Sequence, residues 1–223
     1  MAAYGRPALR DLFDDSPTPH IAHPPRTHHR GFYVATDGSF RAAGGGLGVV
    51  IETRDGERVA RLALPDHAPD NNVAEYRALH LGLDVLAARA PRDARVGVLV
   101  DHDALAANAN RTLLATDEGW CPDEPLTIPD RSRHHWRGIQ ARLRGFADCR
   151  VARIESADNP AHPLANAPTQ YSHVNDEPNR CVLPATFDTD EMIPPPSRAD
   201  RPHVFTSGDR APQARSTPRK NLD

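Results

Sequence analysis

Three acidic residues occupy positions where the surrounding pattern favours apolar side chains. Asp37 ends a strand-like run, Glu75 falls on the apolar stripe of a helix-like run, and Asp101 follows the run 97–100. Burying an ionised carboxylate without a partner costs several kcal/mol, so each acid needs compensation. If two strands are neighbours and the helix crosses them, the three carboxylates converge and can share divalent cations. Oxygen ligands of this kind favour Mg²⁺ or Mn²⁺, and the lack of clustered Cys and His disfavours zinc.

Each of the three acids also has an explanation that involves no metal. Asp37 precedes Gly38 and can form a turn. Glu75 can complement the helix dipole or complete a capping box with Asn72. Asp101 can cap a following helix. The pattern alone leaves both interpretations open.

Apolar periodicity predicts the elements that would position these acids. Five strands are predicted, the first three forming an antiparallel meander, at 31–37, 46–52, 59–64, 96–101 and 149–155. Helices are predicted at 73–90, at 131–146 and at 160–167, with a short helix from Asp103 and an irregular insertion after it within 106–129. Asn71 and Asn72 are favoured caps for the first of these helices. The predicted fold class is therefore α/β, a mixed five-stranded sheet flanked by helices.

Composition limits the function classes. The chain has 223 residues, a formal net charge of −3 and 39% hydrophobic residues. No apolar run approaches the roughly 18–20 residues of a membrane helix, and the N-terminus lacks the apolar stretch of a secretory signal. Three scattered cysteines exclude a disulfide framework. We expect a cytoplasmic protein with no membrane partner.

Proline content suggests where the folded part lies. Residues 1–30 and 168–223 together contain 14 of the 22 prolines and show no sustained apolar period. Segments of this composition bury too little surface to offset the entropy of ordering. We therefore expect a disordered Pro/His-rich tail at 1–30, one folded domain at 31–167, and a disordered Pro-rich tail at 168–223.

Three short motifs within 31–167 resemble those of the type 1 ribonucleases H. Asp37 lies in Thr-Asp-Gly-Ser, Glu75 closes Asn-Asn-Val-Ala-Glu, and Asp101 follows an apolar strand. Asp37 and Glu75 are 38 positions apart, Glu75 and Asp101 are 26 apart, and both spacings are typical of that family. The lack of an evident basic protrusion makes the chain more similar to compact archaeal or bacterial members.

The resemblance implies a fold, a reaction and a site. The fold would be ribonuclease H-like, and the reaction would be cleavage of the RNA strand of an RNA–DNA hybrid, assisted by two Mg²⁺ or Mn²⁺ ions. Asp37, Glu75 and Asp101 would be the catalytic and metal-binding residues. The residues expected to contact the hybrid are Gly38, Ser39, Asn71 and Asn72. We expect a monomer, and duplex RNA as a possible second substrate.

One position departs from the family pattern. The family usually carries a fourth carboxylate on its last helix, and His162 occupies that position here. His162 could be a nitrogen ligand, which suits Mn²⁺ better than Mg²⁺. Alternatively Asp158 could supply the ligand, or His162 could face solvent and the site be weakened or inactive. The last possibility defines an alternative function, a ribonuclease H-like module that binds hybrid or duplex RNA with little catalysis.

The predicted helix at 131–146 is a candidate for phosphate contacts. It carries five arginines together with two histidines and Trp136, and no acidic residue lies between Arg131 and Phe146. Such contacts would make binding sensitive to salt. A solvated arginine face is the alternative, and the sequence does not choose between them.

Overall fold

A mixed five-stranded sheet forms the centre of the chain. The structure, a computed structural model, describes residues 6–42, 44–115 and 126–174. The strands, in chain order, are β1 Phe32–Ser39, β2 Gly45–Thr53, β3 Arg58–Asp66, β4 Arg95–Val100 and β5 Asp148–Arg153. They lie in the order β3-β2-β1-β4-β5, with β1–β2 and β2–β3 antiparallel and β1–β4 and β4–β5 parallel. The predicted α/β fold class, a mixed five-stranded sheet that begins with a three-strand meander and is flanked by helices, is confirmed.

Helices cover both faces of this sheet. Three helices pack in the larger apolar cluster on one face: α2 Asn71–Ala87, α3 Asp103–Leu114 and α4 Arg133–Leu143. Two shorter helices pack in a second cluster on the other face: α1 Leu9–Asp15 and α5 His162–Asn166. Short 3-10 segments at Asp130–Ser132 and Pro168–Val174 precede α4 and follow α5. Both faces of the central strands are thus removed from water, as their nearly continuous apolar sequence predicts.

Two helix boundaries differ from prediction. The first residue of α2 is Asn71, because the Asp70 side chain caps the helix by accepting the Val73 N–H at 2.9 Å. Asn71 and Asn72 are therefore helical residues and not caps. The helix predicted to be short begins at Asp103 as expected but runs for 12 residues, to Leu114. The central part of the predicted irregular insertion, 116–125, lies outside the described residues.

The prediction of a disordered tail at 1–30 is wrong for residues 6–30. Helix α1 buries Leu9 and Phe13, each 1% exposed, against the sheet face that carries Tyr33. Phe13 and Tyr33 meet edge to face, with ring centroids 5.6 Å apart. Seven residues between prolines are too few to form a stable helix alone. The helix exists because the sheet covers its apolar side.

The folded unit also extends beyond its predicted C-terminal limit at 167. The 3-10 segment Pro168–Val174 packs on β3, and the side chain of Pro168 is buried. The predicted tail from 175 to 223 lies outside the described residues. No helix in the described ranges is long and apolar enough to cross a membrane.

Helix α5 lies directly on the backbone of β2. A Cβ atom at Gly48 would stand 2.2 Å from the Ala161 carbonyl oxygen, closer than any non-bonded atoms approach. Only glycine at this position allows the contact. Because α5 begins one residue later with His162, the glycine in β2 sets the height of that histidine above the sheet.

Candidate metal centre

Asp37 lies near the end of β1, the middle strand of the sheet, where it pairs with Gly48 of β2. The aspartate is 2% exposed, because helices cover β1 on both sides. Burial raises the pKa of Asp37 to about 8, and the negative charge of Asp101 adds to the effect. A buried carboxylate in this setting strongly favours either a proton or a cation.

Glu75 reaches the same end of the sheet from α2. Its Oε2 accepts a hydrogen bond from the backbone N–H of Gly38 at 3.1 Å. Helix α2 comes so close to β1 that a Cβ at Gly38 would stand 2.1 Å from the carbonyl carbon of Ala74. The glycine therefore permits the approach that brings Glu75 beside the residue after Asp37.

The charge of Glu75 is poorly compensated in this position. Burial raises the pKa of Glu75 to about 9, with further contributions from the negative charges of Asp101 and Asp37. The Gly38 N–H and the Asn71 side chain partly oppose the rise by hydrogen bonding to the carboxylate. The dominant charged neighbours of this group are thus other acids.

Asp101 directly follows β4, which is parallel to β1 and adjacent to it. Parallel neighbours end at the same edge of a sheet, so Asp101 is brought beside Asp37. Its Oδ2 accepts a hydrogen bond from the Ser156 hydroxyl at 2.7 Å. This bond orients the carboxylate, and Asp101 is only partly buried.

His162 at the start of α5 completes the cluster. Its Nδ1 lies 3.2 Å from Oδ1 of Asp37. One ligand atom from each of Asp37, Asp101 and His162 lies within 4.8 Å of the others, an arrangement that can hold a metal ion. Glu75 is not in this group of three and stands beside it through its contact with Gly38. Asp158, the alternative ligand, lies in an exposed turn before α5, and the grouping among the described residues omits it.

Asn166 holds the His162 ring from one helical turn further along α5. Its amide Nδ2 lies 2.9 Å from the ring Nε2 and also donates to the His162 carbonyl at 3.1 Å. Its Oδ1 accepts from the hydroxyl of Ser39 at 3.0 Å and from the guanidinium of Arg41 at 2.9 Å. A metal-binding imidazole is normally oriented by such a neighbour. The i, i+4 spacing to His162 is the sequence signal that could have identified Asn166.

The remaining candidate site residues surround the cluster. Asn71 and Asn72 are exposed in the first turn of α2, and Oδ1 of Asn72 lies 2.8 Å from Nε2 of His102. The Nδ1 of His102 caps α3 by accepting the Leu105 N–H. Ser39 is buried, and its hydroxyl is engaged by Asn166. The structure thus brings the candidates to one end of the sheet, and Asp158, in the turn after β5, is outside the group of ligand atoms that lie close together.

The donor set fits divalent cations. Two buried carboxylates, Asp37 and Glu75, are destabilised in their charged forms by burial and by neighbouring negative charge. A divalent ion between them would remove this repulsion, and carboxylate oxygens with one imidazole are ligands that Mn²⁺ or Mg²⁺ accepts. The arrangement can therefore concentrate positive charge at a partly open edge of the sheet.

The predicted arginine helix is α4 with its preceding turn. Trp136 and His135 are buried in it and do not form part of its outer face. Arg133 and Arg142 form ion pairs with acidic residues of the same chain. Several side chains of this helix are therefore engaged in packing or ion pairs within the chain.

Several solved structures are similar to this chain. No family model matches the chain, and no curated protein matches it. The chain is similar in structure to ribonucleases H. The N-terminal RNase H domain of rv2228c from Mycobacterium tuberculosis aligns with 22% identity and a TM-score of 0.47, over 60% of this chain and 95% of that one. RNase H1 from the halophilic archaeon Halobacterium salinarum aligns with 22% identity and a TM-score of 0.47, over 63% and 98%.

A third similar structure is LC11-RNase H1 in complex with an RNA/DNA hybrid. It aligns with 21% identity and a TM-score of 0.46, over 60% of this chain and 93% of that one. The chemistry of the candidate site follows from the geometry of the residues described above.

Proposed function

We propose that this chain is a metal-dependent endoribonuclease that cleaves the RNA strand of RNA–DNA hybrids. The observation that carries the proposal is the approach of Asp37, Asp101 and His162 to within 4.8 Å of one another, with Glu75 beside them. The sequence motifs that contain the three acids resemble those of type 1 ribonucleases H. An acidic cluster on this sheet, in this motif order, is the arrangement that the reaction needs.

The site would hold two Mg²⁺ or Mn²⁺ ions. Asp37, Glu75, Asp101 and His162 would form the ligand set. Bound ions would supply Lewis-acid activation of the attacking water and stabilise charge on the leaving 3′ oxygen. The chain's own contribution is to hold the ligands before the ions arrive. Ser156 orients Asp101, the Gly38 N–H orients Glu75, and Asn166 orients His162.

The residues around the cluster suggest how a hybrid would be recognised. Asn71 and Asn72 are exposed next to the acids, and their amides can donate to and accept from groups in the minor groove. Contacts to the RNA 2′-hydroxyls would distinguish RNA from DNA at this site. Gly38 and Ser39 would lie against the RNA backbone. We propose a monomer that acts in the cytoplasm, with duplex RNA as a further candidate substrate.

One observation favours a second candidate function. His162 replaces a carboxylate with a neutral ligand, so the site carries less negative charge to hold two divalent ions. A site of this kind could bind hybrid or duplex RNA and cleave it slowly. The alternative is a ribonuclease H-like binding module.

Incubation of a labelled RNA–DNA hybrid with the full chain tests the proposal. With Mn²⁺ or Mg²⁺ the wild type should cleave the RNA strand and leave the DNA strand intact, and Asp37→Asn should abolish cleavage. Asp158→Asn is the matched control, because it removes an exposed carboxylate near α5 that lies outside the cluster.

Three results would contradict the proposal or change it. Cleavage that survives Asp37→Asn would remove Asp37 from the mechanism. Loss of cleavage in Asp158→Asn would restore Asp158 as the ligand. Tight binding of the hybrid without cleavage in either metal would favour the binding module.

A further inference from the structure

A polar cavity lies at the edge of the sheet opposite the metal centre. It has a volume of about 420 Å³ and is bounded by the segment 22–28 and by the starts of β4 and β5. This size falls within the roughly 300–1,000 Å³ of small-molecule sites. Strands β1, β4 and β5 are parallel, and the seven residues from Arg30 to Asp37 span roughly 20 Å. A ligand in this cavity therefore cannot reach the acids at the other edge.

The cavity lining carries excess positive charge. Three guanidinium groups and one carboxylate face it, a formal net charge of +2, from Arg30, Arg95, Arg150 and Asp148. Both oxygens of Asp148 are already occupied, because Oδ2 accepts from Arg30 at 2.9 Å and Oδ1 from Arg150 at 2.6 Å. Asp148 thus fixes two of the arginines in place and cannot neutralise the third.

Arg95 is the uncompensated charge. It is the first residue of β4, is exposed, and forms no ion pair with any residue in the described ranges. Arg30, in contrast, is 3% exposed and also donates to the Val96 carbonyl, which locks its guanidinium at the cavity floor. One rigid and one free guanidinium beside each other suit an anion with several oxygens, because planar guanidinium groups match phosphate oxygens in pairs.

A second, independent observation concerns His23 in the cavity wall. Both of its ring nitrogens are buried, and neither has a hydrogen-bond partner in the part of the chain that the structure describes. Its ring stacks on Phe13, with centroids 5.1 Å apart, so the imidazole is held in place by packing alone. Buried polar atoms are almost always satisfied, and an exception indicates a missing water, ion or ligand.

We propose that this cavity is a binding site for a phosphate dianion, either inorganic phosphate or the phosphate group of a nucleoside monophosphate. A phosphate dianion matches the net charge of the lining and offers acceptors to Arg30, Arg95 and Arg150 together. The imidazole of His23 can complete the set. Pro24 and Pro25 form an apolar wall that the nucleoside of a nucleotide would contact.

Calorimetric titration of the full chain tests the proposal. The buffer contains a chelator, so that no divalent ion is present and the acidic cluster repels phosphate. The ligands are inorganic phosphate, adenosine 5′-monophosphate and adenosine. Both phosphates should bind and adenosine should not. Tighter binding of the nucleotide identifies a nucleotide site, and equal binding identifies inorganic phosphate as the sufficient ligand. Either result supports the proposal.

Variants assign the binding to this cavity. Arg95→Ala should weaken phosphate binding by about tenfold or more, the usual worth of a charge-assisted hydrogen bond. Arg92→Ala is the matched control, because Arg92 is also exposed, lies three positions away and does not line the cavity. His23→Phe keeps the ring that packs on Phe13 and removes the nitrogens, so it should lower affinity without lowering the melting temperature.

Three results would overturn the proposal. The first is no heat of binding at millimolar phosphate or nucleotide. The second is adenosine binding as tightly as its monophosphate, which would mean that the charges are not used. The third is an equal loss in Arg95→Ala and Arg92→Ala, which would show attraction to the general surface charge only.

Discussion

The stability of the metal-free protein should fall as the pH rises through neutrality, because of the buried acids. Burial and neighbouring charge raise the pKa of Asp37 from 3.8 to about 8 and that of Glu75 from 4.5 to about 9. At a pH between the ordinary pKa and the raised pKa of each acid, the folded chain keeps a proton that the unfolded chain releases. Raising the pH therefore favours the unfolded chain, and the free energy of unfolding declines.

The size of the effect follows from proton linkage. Each carboxyl that is protonated only in the folded state lowers the free energy of unfolding by about 1.4 kcal/mol per pH unit. From about pH 5.5 to about pH 7, Asp37 alone should account for about 2 kcal/mol. Asparagine does not titrate, so Asp37→Asn should remove this share. The contribution of Glu75 to the pH dependence should change little in Asp37→Asn, because Asp37 is already uncharged in the folded wild type over most of this pH range.

Urea unfolding in a chelating buffer measures the difference. The wild type should lose about 2 kcal/mol more than Asp37→Asn over that pH range. Asp93→Asn is the matched control, because Asp93 is exposed and precedes β4, at the opposite end of that strand from Asp101, and it should follow the wild type. Parallel pH profiles for wild type and Asp37→Asn would refute the reasoning, since Asp37 would then be ionised in the folded state.

Addition of Mn²⁺ extends the test. A cation bound to the cluster displaces the protons, so the decline with pH should disappear in the wild type. Mn²⁺ at a hundred times its dissociation constant should stabilise the wild type by about 2.7 kcal/mol. Asp37→Asn should gain much less. Equal stabilisation of both proteins would mean that the ion binds elsewhere.

Three further outcomes are expected. His162→Asp should raise the ratio of Mg²⁺- to Mn²⁺-supported hybrid cleavage by about tenfold, or about 1.4 kcal/mol, because it restores an oxygen ligand; an unchanged ratio would mean that His162 is not a ligand. Gly38→Ala should destabilise the protein by about 3 kcal/mol in urea unfolding, since the added Cβ would overlap α2; a loss below about 1 kcal/mol would contradict this close contact. Phe13→Ala should cost about 3–5 kcal/mol if α1 is part of the folded core. The exposed Phe40→Ala serves as its control, and a loss in Phe13→Ala no larger than in the control would place α1 outside the cooperative unit.

Much of the sheet could be predicted because its signals are local. The apolar run before Asp101 is short and nearly continuous, as a strand covered on both faces must be. The meander has turn residues between its second and third strands, and its two antiparallel pairs follow from chain order. Helix α2 carries an apolar stripe over four turns. In each case the pattern that predicts the element is also the pattern that buries it.

The elements that were missed depend on distant partners. Leu9, Leu12 and Phe13 have helical spacing, but only seven residues carry it and prolines surround them. Their helix is stabilised by the sheet face around Tyr33, which no local window contains. The cap of α2 was assigned to the asparagines because three consecutive residues there can all cap. Asp70 takes the role through backbone geometry that composition does not specify.

The residues of the candidate site also fall into two groups, those whose positions the sequence indicates and those whose positions depend on distant contacts. The positions of Asp37, Glu75 and Asp101 follow from strand ends and helix register, which the sequence indicates. Ser156 lies 55 residues from Asp101, and Asn166 lies 127 residues from Ser39, although it is only four residues from the His162 ring that it holds. The choice between His162 and Asp158 also could not be made from spacing, since it depends on how α5 and the turn before it are placed against β1.

The contact between Gly48 and α5 means that the metal centre depends on a strand that supplies no ligand to it. Any side chain at Gly48 would push α5 outward, and His162 would move with it, although Gly48 has no atom that could bind an ion or a phosphate. Screens for loss of the proposed nuclease activity should therefore recover substitutions in β2 that resemble active-site defects and leave every candidate ligand unchanged. The geometry of the candidate centre thus requires that position 48 carry no side chain larger than the hydrogen atom of glycine.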